Sequence, residues 1–213
     1  MNPAGPRRAF SVISIGALGA KVLGAVREML MAAVWGQGAV VGAFLVCLNA
    51  LLVPVSLAVG ELLQGAFIPV YARHRRCGSR LAPISLWMGL IVWSLVAVLI
   101  AVLLVVAGDW LVRLLAPGIG VEARDLAVRF MFAIAFGAVP FVVTAVLAVV
   151  AVQHGRPLGA ALRPGVQSLG VIAGIGAAVA FNDPVYLGVG FAGAYALNAT
   201  GLLVLCPINN CKS

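Results

Sequence analysis

Charge is what this sequence has least of. Aspartate and glutamate together supply six of its 213 residues and histidine two. No Asp, Glu or His cluster forms near a predicted membrane face, so the metal-and-base set that a membrane phosphotransferase requires is missing. An enzyme of that kind is excluded. Cysteine is sparse too: Cys47, Cys77, Cys206 and Cys211 show neither CxxC nor Cys/His spacing, which excludes a zinc site. His74 and His154 lie in Arg-bearing stretches far from any acid and read as solvated loop residues. No cofactor is expected.

Apolar residues fill the space that charge leaves. They make up 63% of the chain, and several runs of 18 or more carry almost no charge, which rules out an ordinary soluble domain. The fold class expected is all-α: a polytopic membrane protein of six transmembrane helices. The net charge of +8 would suggest nucleic acid in a soluble protein. Here it is concentrated in short loops between apolar runs, as the positive-inside rule requires, so membrane lipids and not nucleic acid are the expected surroundings.

One span breaks the pattern. Residues 21–28, KVLGAVRE, set Lys21, Arg27 and Glu28 inside the first apolar run, where an ionisable side chain costs roughly 2.5–3.5 kcal/mol on insertion scales. These groups should face protein or water, and the later helices are expected to wall off a polar cavity for them. The run is also too long and too charged at its centre for a cleaved signal peptide, so it is expected to stay in the mature chain.

The chain divides as follows. Residues 1–9, with Arg7 and Arg8, form a cytoplasmic lead-in. Spans are expected at about 10–34, 43–71, 84–107, 126–153, 164–181 and 185–205, each near the roughly 20 residues that cross a hydrocarbon core. Span two is interrupted by Pro54, Gly60, Glu61 and Gly65, tolerable only where a wet or protein-lined cavity satisfies the freed backbone. A turn near Gly38 puts Arg27 opposite Asn49 and Lys21 opposite Ser56, with Glu61 about 7–8 Å deeper. Glu61 is then in reach to compensate Lys21, leaving Arg27 for an anion. Arg73 to Arg80 and HGRPLGAALR at 154–163 form basic loops, whereas 108–125 is a loop of mixed charge. Arg129, near the outer end of span four, either snorkels or guards a cavity mouth. Gly170-x-x-x-Gly174 suits close helix packing. With 206–213 as a tail, Arg7, Arg8, Arg73, Arg75, Arg76, Arg80, Arg156, Arg163 and Lys212 all fall inside, and both termini are cytoplasmic.

Several stretches then resemble the MviN/MurJ family of bacterial lipid II flippases, in the multidrug/oligosaccharidyl-lipid/polysaccharide exporter superfamily. They are VLGAVREMLMAAVWGQG at 22–38, GELLQGAFIPVYAR at 60–73, LLAPG at 114–118, GRPLGAALRPGVQSLGVI at 155–172 and GVGFAGAYALN at 188–198. The resemblance implies alternating-access transport of an undecaprenyl-linked sugar diphosphate across the bacterial inner membrane, by a bundle like that superfamily's N-terminal lobe. It also implies a cationic cavity in which Arg27 and Lys21 receive the diphosphate beside Asn49, while Glu28 and Glu61 serve charge balance or ion coupling. Lysine at position 21 keeps the charge but loses the planar fork that grips phosphate. Gly42 stands where the family has an aspartate, and Val55 where it commonly has an arginine. A different polyprenyl-linked glycan stays open as substrate. So does a lobe that acts only with a second copy or a separate C-terminal lobe, since the family's full proteins carry about fourteen spans in two lobes.

Overall fold

The computed structural model describes residues 4–36, 38–57, 65, 67, 69, 71–73, 81–153 and 158–205. Regular structure among them is helical: α1 (Ala4–Trp35), α2 (Ala39–Leu57), α3 (Leu81–Val106), α4 (Gly108–Leu115), α5 (Val121–Gln153), α6 (Leu158–Phe181) and α7 (Tyr186–Leu205). Helix is the form in which an apolar chain satisfies its own backbone without water. Five helical stretches are long and apolar enough to cross a membrane: Ala39–Leu57, Ile84–Val106, Val121–Val152, Ala161–Phe181 and Tyr186–Val204. The protein is therefore a multi-pass membrane protein. α1 has the length, 32 residues or about 48 Å, but holds Lys21, Arg27 and Glu28 within it.

The bundle is organised around α5. It packs along α2, α3 and α7, and 72% of its apolar window is buried, against 22–39% for the other four. Phe130, Ile134, Ala138, Val142, Val146 and Leu147 form its inward faces. Phe44 of α2 meets Phe130 edge-on at 5.6 Å, and the Cys47 thiol donates to the Ala127 carbonyl at 3.0 Å, so Cys47 is a core residue. α3 buries Leu86, Leu90, Trp93, Ala97 and Leu104 and leaves Ile91, Leu95, Leu99 and Val102 exposed, one apolar face for protein and one for lipid.

Small residues set the second half of the bundle. Gly170, Gly174 and Gly190 lie where α6 and α7 cross, and a Cβ on Gly174 would stand 2.6 Å from the Tyr186 carbonyl oxygen. Backbone meets backbone there, as the Gly-x-x-x-Gly spacing anticipated. α1 then lies on the far side of α6, with Gly16 against Ala161 and Gly24 facing Ser168. Both numbers rise together, so α1 and α6 run parallel.

The connections follow from local chemistry. Gly36 closes α1 at φ 64°, and its N–H donates to Ala32 O at 2.9 Å; this left-handed position favours glycine. Asn182 takes φ 53° between α6 and α7, and Asp183 Oδ1 accepts from the Val185 N–H at 3.1 Å. Pro140 is accommodated inside α5, where the Thr144 hydroxyl donates to its carbonyl at 2.7 Å. Residues 158–163, expected in a basic loop, are the first turns of α6. Pro164 ends no helix there, and Ser168 donates to its carbonyl at 3.2 Å.

Candidate functional site

Among the described residues α1 is held mainly on one side. It packs along α6 and touches α2 sparsely, too little for contact along the length of the hairpin. Ile15, Leu18, Val22, Val26 and Met29 are exposed, and so is Lys21. The expectation that later helices enclose the α1 charges is thus not met among the described residues. The reason is the seam: Gly16 and Gly24 dock α1 on α6, which turns its other faces away from the bundle.

Within that open flank Arg27 is the most sheltered charge. Its side chain is 15% exposed, against 49% for its ion-pair partner Glu28. Arg27 Nη2 donates to Glu28 Oε1, while the buried Nε has no acceptor. A guanidinium has five donors in one plane. A neighbouring carboxylate on the same helix engages Nη2 and leaves the Nε proton unanswered. Asn49, on α2, is exposed. Ser56 is exposed as well and its hydroxyl donates to Val53 O at 2.9 Å. Glu61, the expected partner of Lys21, lies outside the described residues, as do residues 74–80 and 206–213.

Arg163 was misplaced by reasoning from charge alone. Counted with the loop cations, it instead projects from α6 between α5 and α7. Its guanidinium carbon lies 4.4 Å from the centre of the Phe141 ring and 6.0 Å from that of Tyr195. Tyr195 is buried and donates its hydroxyl to Gln167 Oε1 at 3.0 Å. Arg163 Nε is buried with no acceptor, and so is Asn198 Nδ2, one turn beyond Tyr195 on α7. The available sequence signal was the spacing of Arg163 and Gln167, four apart on one helix face. Their aromatic neighbours are remote in sequence.

The end of the bundle that carries the turns at Gly36 and Asn182 holds two sets of ion pairs. Asp109 accepts from Arg124 Nε at 2.6 Å and from its Nη2, and Arg113 Nη2 lies 3.1 Å away. The Arg124 hydrogen bonds, chiefly, hold the Asp109 carboxyl below the ordinary carboxylate range, with the nearby Arg113 charge adding to the effect. Arg129 is exposed and bonds Asp183 Oδ2 at 2.9 Å. It therefore clasps α5 to the α6–α7 turn.

Comparison with known proteins adds one finding. A family model described as "Lipid II flippase MurJ" matches residues 31–206, well over half of the chain. No curated protein and no solved structure matches. The match begins past Lys21, Arg27 and Glu28, so it rests on other residues than those of the α1 site. The chain belongs to the MurJ lipid II flippase family, a family of transporters and not of enzymes.

Proposed function

We propose that this MurJ-family chain takes part in flipping lipid II, or a closely similar polyprenyl diphosphate-linked glycan, across the bacterial inner membrane, with both termini cytoplasmic. The observation that carries the reading is the Arg27 guanidinium. It is sheltered in an apolar helix, paired through Nη2 with Glu28, and left with a buried Nε donor that has no acceptor. A diphosphate oxygen supplies the acceptor that Nε lacks, and arginine holds phosphate by paired hydrogen bonds where lysine acts as a point charge.

In this reading Arg27 is the principal phosphate ligand, Lys21 adds a second positive charge two turns away, and Asn49 offers a polar contact from α2. Glu28 and Glu61 keep the empty site near neutrality and exchange with the substrate or with a coupling ion when it binds. The polyprenyl tail stays in the bilayer, because drawing it through a polar cleft has no compensating gain. Transport then consists of a shift between two states whose relative stability headgroup binding alters. The open flank of α1 supports a cleft completed by a second copy of this chain or by a separate C-terminal lobe.

The test is complementation in bacteria depleted of their own lipid II flippase, with membrane insertion confirmed. Rescue by the chain that disappears with Arg27→Ala supports lipid II transport through Arg27. Equal rescue by inserted Arg27→Ala removes Arg27 from the site. No rescue by an inserted chain, with rescue once a second lobe is co-expressed, assigns it the role of a half-transporter. Failure in both settings turns the reading toward another glycan.

A further inference from the structure

The half-buried Arg163 on α6 is a charge that the proposed α1 site does not use. Among the described residues no carboxylate pairs with it: the ion pairs there join Arg27 to Glu28, Arg113 and Arg124 to Asp109, and Arg129 to Asp183. An ionisable group inside an apolar bundle with no counter-charge is costly and, where it persists, marks a ligand path more often than packing. Its attraction to Phe141 offsets part of that cost. A ring face attracts the cation, yet gives an N–H no oxygen lone pair to donate to. The Nε proton therefore remains unanswered.

A second donor lies at the same level. Tyr195 bonds Gln167, and Gly170 meets Gly190 and Ala194, so α6 and α7 run antiparallel with residue 167 level with 195. Four residues back along α6 is Arg163, and three residues on along α7 is Asn198, whose Nδ2 is likewise buried and without an acceptor. Arg163 Nε and Asn198 Nδ2 thus each present an N–H with no acceptor, although the Tyr195 hydroxyl interacts with another part of the guanidinium. Water could answer either donor, but only an anion answers the charge as well.

We propose that Arg163 and Asn198 form a second oxyanion subsite, one that takes a phosphate group. It is separate from Arg27. The seam that sets Gly24 against Ser168 places the Arg27 backbone level with about residue 171, so the two arginines spring from the bundle about eight residues, or about 12 Å, apart along its axis. Adjacent phosphorus atoms of one diphosphate span far less than that. The two arginines thus make successive stations and not two halves of one clamp.

The test is lipid binding to the purified full chain in nonionic detergent, read by native mass spectrometry. Phosphatidic acid, whose headgroup is a bare phosphate, is compared with phosphatidylcholine. Arg163→Met keeps the length of the stem and removes the charge. It should lose one phosphatidic acid adduct, weakening that step about tenfold, while Arg27→Met retains it. Were the Arg27 reading wrong, the wild type would carry a single tight adduct, still lost in Arg163→Met. Displacement of this adduct by millimolar inorganic phosphate assigns the subsite to free phosphate, and its persistence assigns it to a lipid head. Asn198→Asp sets an internal anion beside Arg163 and should abolish the adduct while raising the thermal midpoint. Unaltered binding in a folded Arg163→Met chain, or in Asn198→Asp if Arg163→Met does not insert, would overturn the proposal.

Discussion

α5 and α1 are both long helices of a membrane protein, yet they solve opposite problems. α5 is packed along three helices and presents only apolar or self-satisfied groups to them, with the Thr144 hydroxyl turned back on its own helix. α1 rests on α6, keeps most of its surface free, and carries a lysine and an ion pair in its middle. The contrast teaches where rigidity and exchange reside. Burial of most of its surface makes α5 the part that cannot move without cost, and sparse burial leaves α1 the part whose position a ligand or a second lobe can set.

The sharpest way to break that contrast is to force the closed seams apart. Gly174→Leu puts a side chain where the Tyr186 carbonyl already is, and is expected to abolish folded monodisperse protein, at about 3 kcal/mol or more, measured by size exclusion and thermal midpoint. Phe191→Ala, beneath Phe141 and Tyr195, should follow at about 3–5 kcal/mol in the same assay. Gly19→Leu is the counterpart on α1. Nothing lies within 4 Å of its Cβ, so stability should stay within about 0.5 kcal/mol or rise slightly. A large loss there would show that the α1 flank is covered.

Smaller effects sharpen the comparison at the turn end. Arg129→Ala removes an exposed ion pair and should cost about 0.2–1 kcal/mol, shrinking further in high salt. Asp109 gives the pH test. Its carboxyl is held below its unfolded value, so its contribution is present above that value, near about 3.9, and is lost as pH falls through the lower folded one. The thermal midpoint of the wild type should therefore drop below about pH 4 more than that of Asp109→Asn. Parallel curves would remove Arg124 and Arg113 as the cause.

Legibility in the sequence tracked how local the cause was. The apolar runs announced α3, α5 and α7 because hydrophobic length is a property of consecutive residues. The Gly-x-x-x-Gly seam was readable for the same reason. The family resemblance quoted from separated stretches was met by the match over residues 31–206. Arg163 was missed because HGRPLGAALR carries the prolines, glycines and arginines of a loop, and the charge count of the two membrane sides needed no buried cation. Only Phe141 and Tyr195, at 22 and 32 residues' separation, reveal that it is inside. The depth argument that set Arg27 opposite Asn49 had a related limit. It fixed height along the membrane normal but not which neighbour α1 chooses.

By itself, then, the sequence determined that the chain is helical, apolar and multi-pass, and that α1 carries charges a bilayer does not tolerate in contact with lipid. Those are consequences of transfer free energies summed along the chain. Only the tertiary structure decided that α5 is the centre, that α1 docks on α6 and not along α2, and that Arg163 and Asn198 end with unanswered donors at one level. Such outcomes depend on which small residues let two backbones approach, and that is settled by packing between segments far apart in sequence.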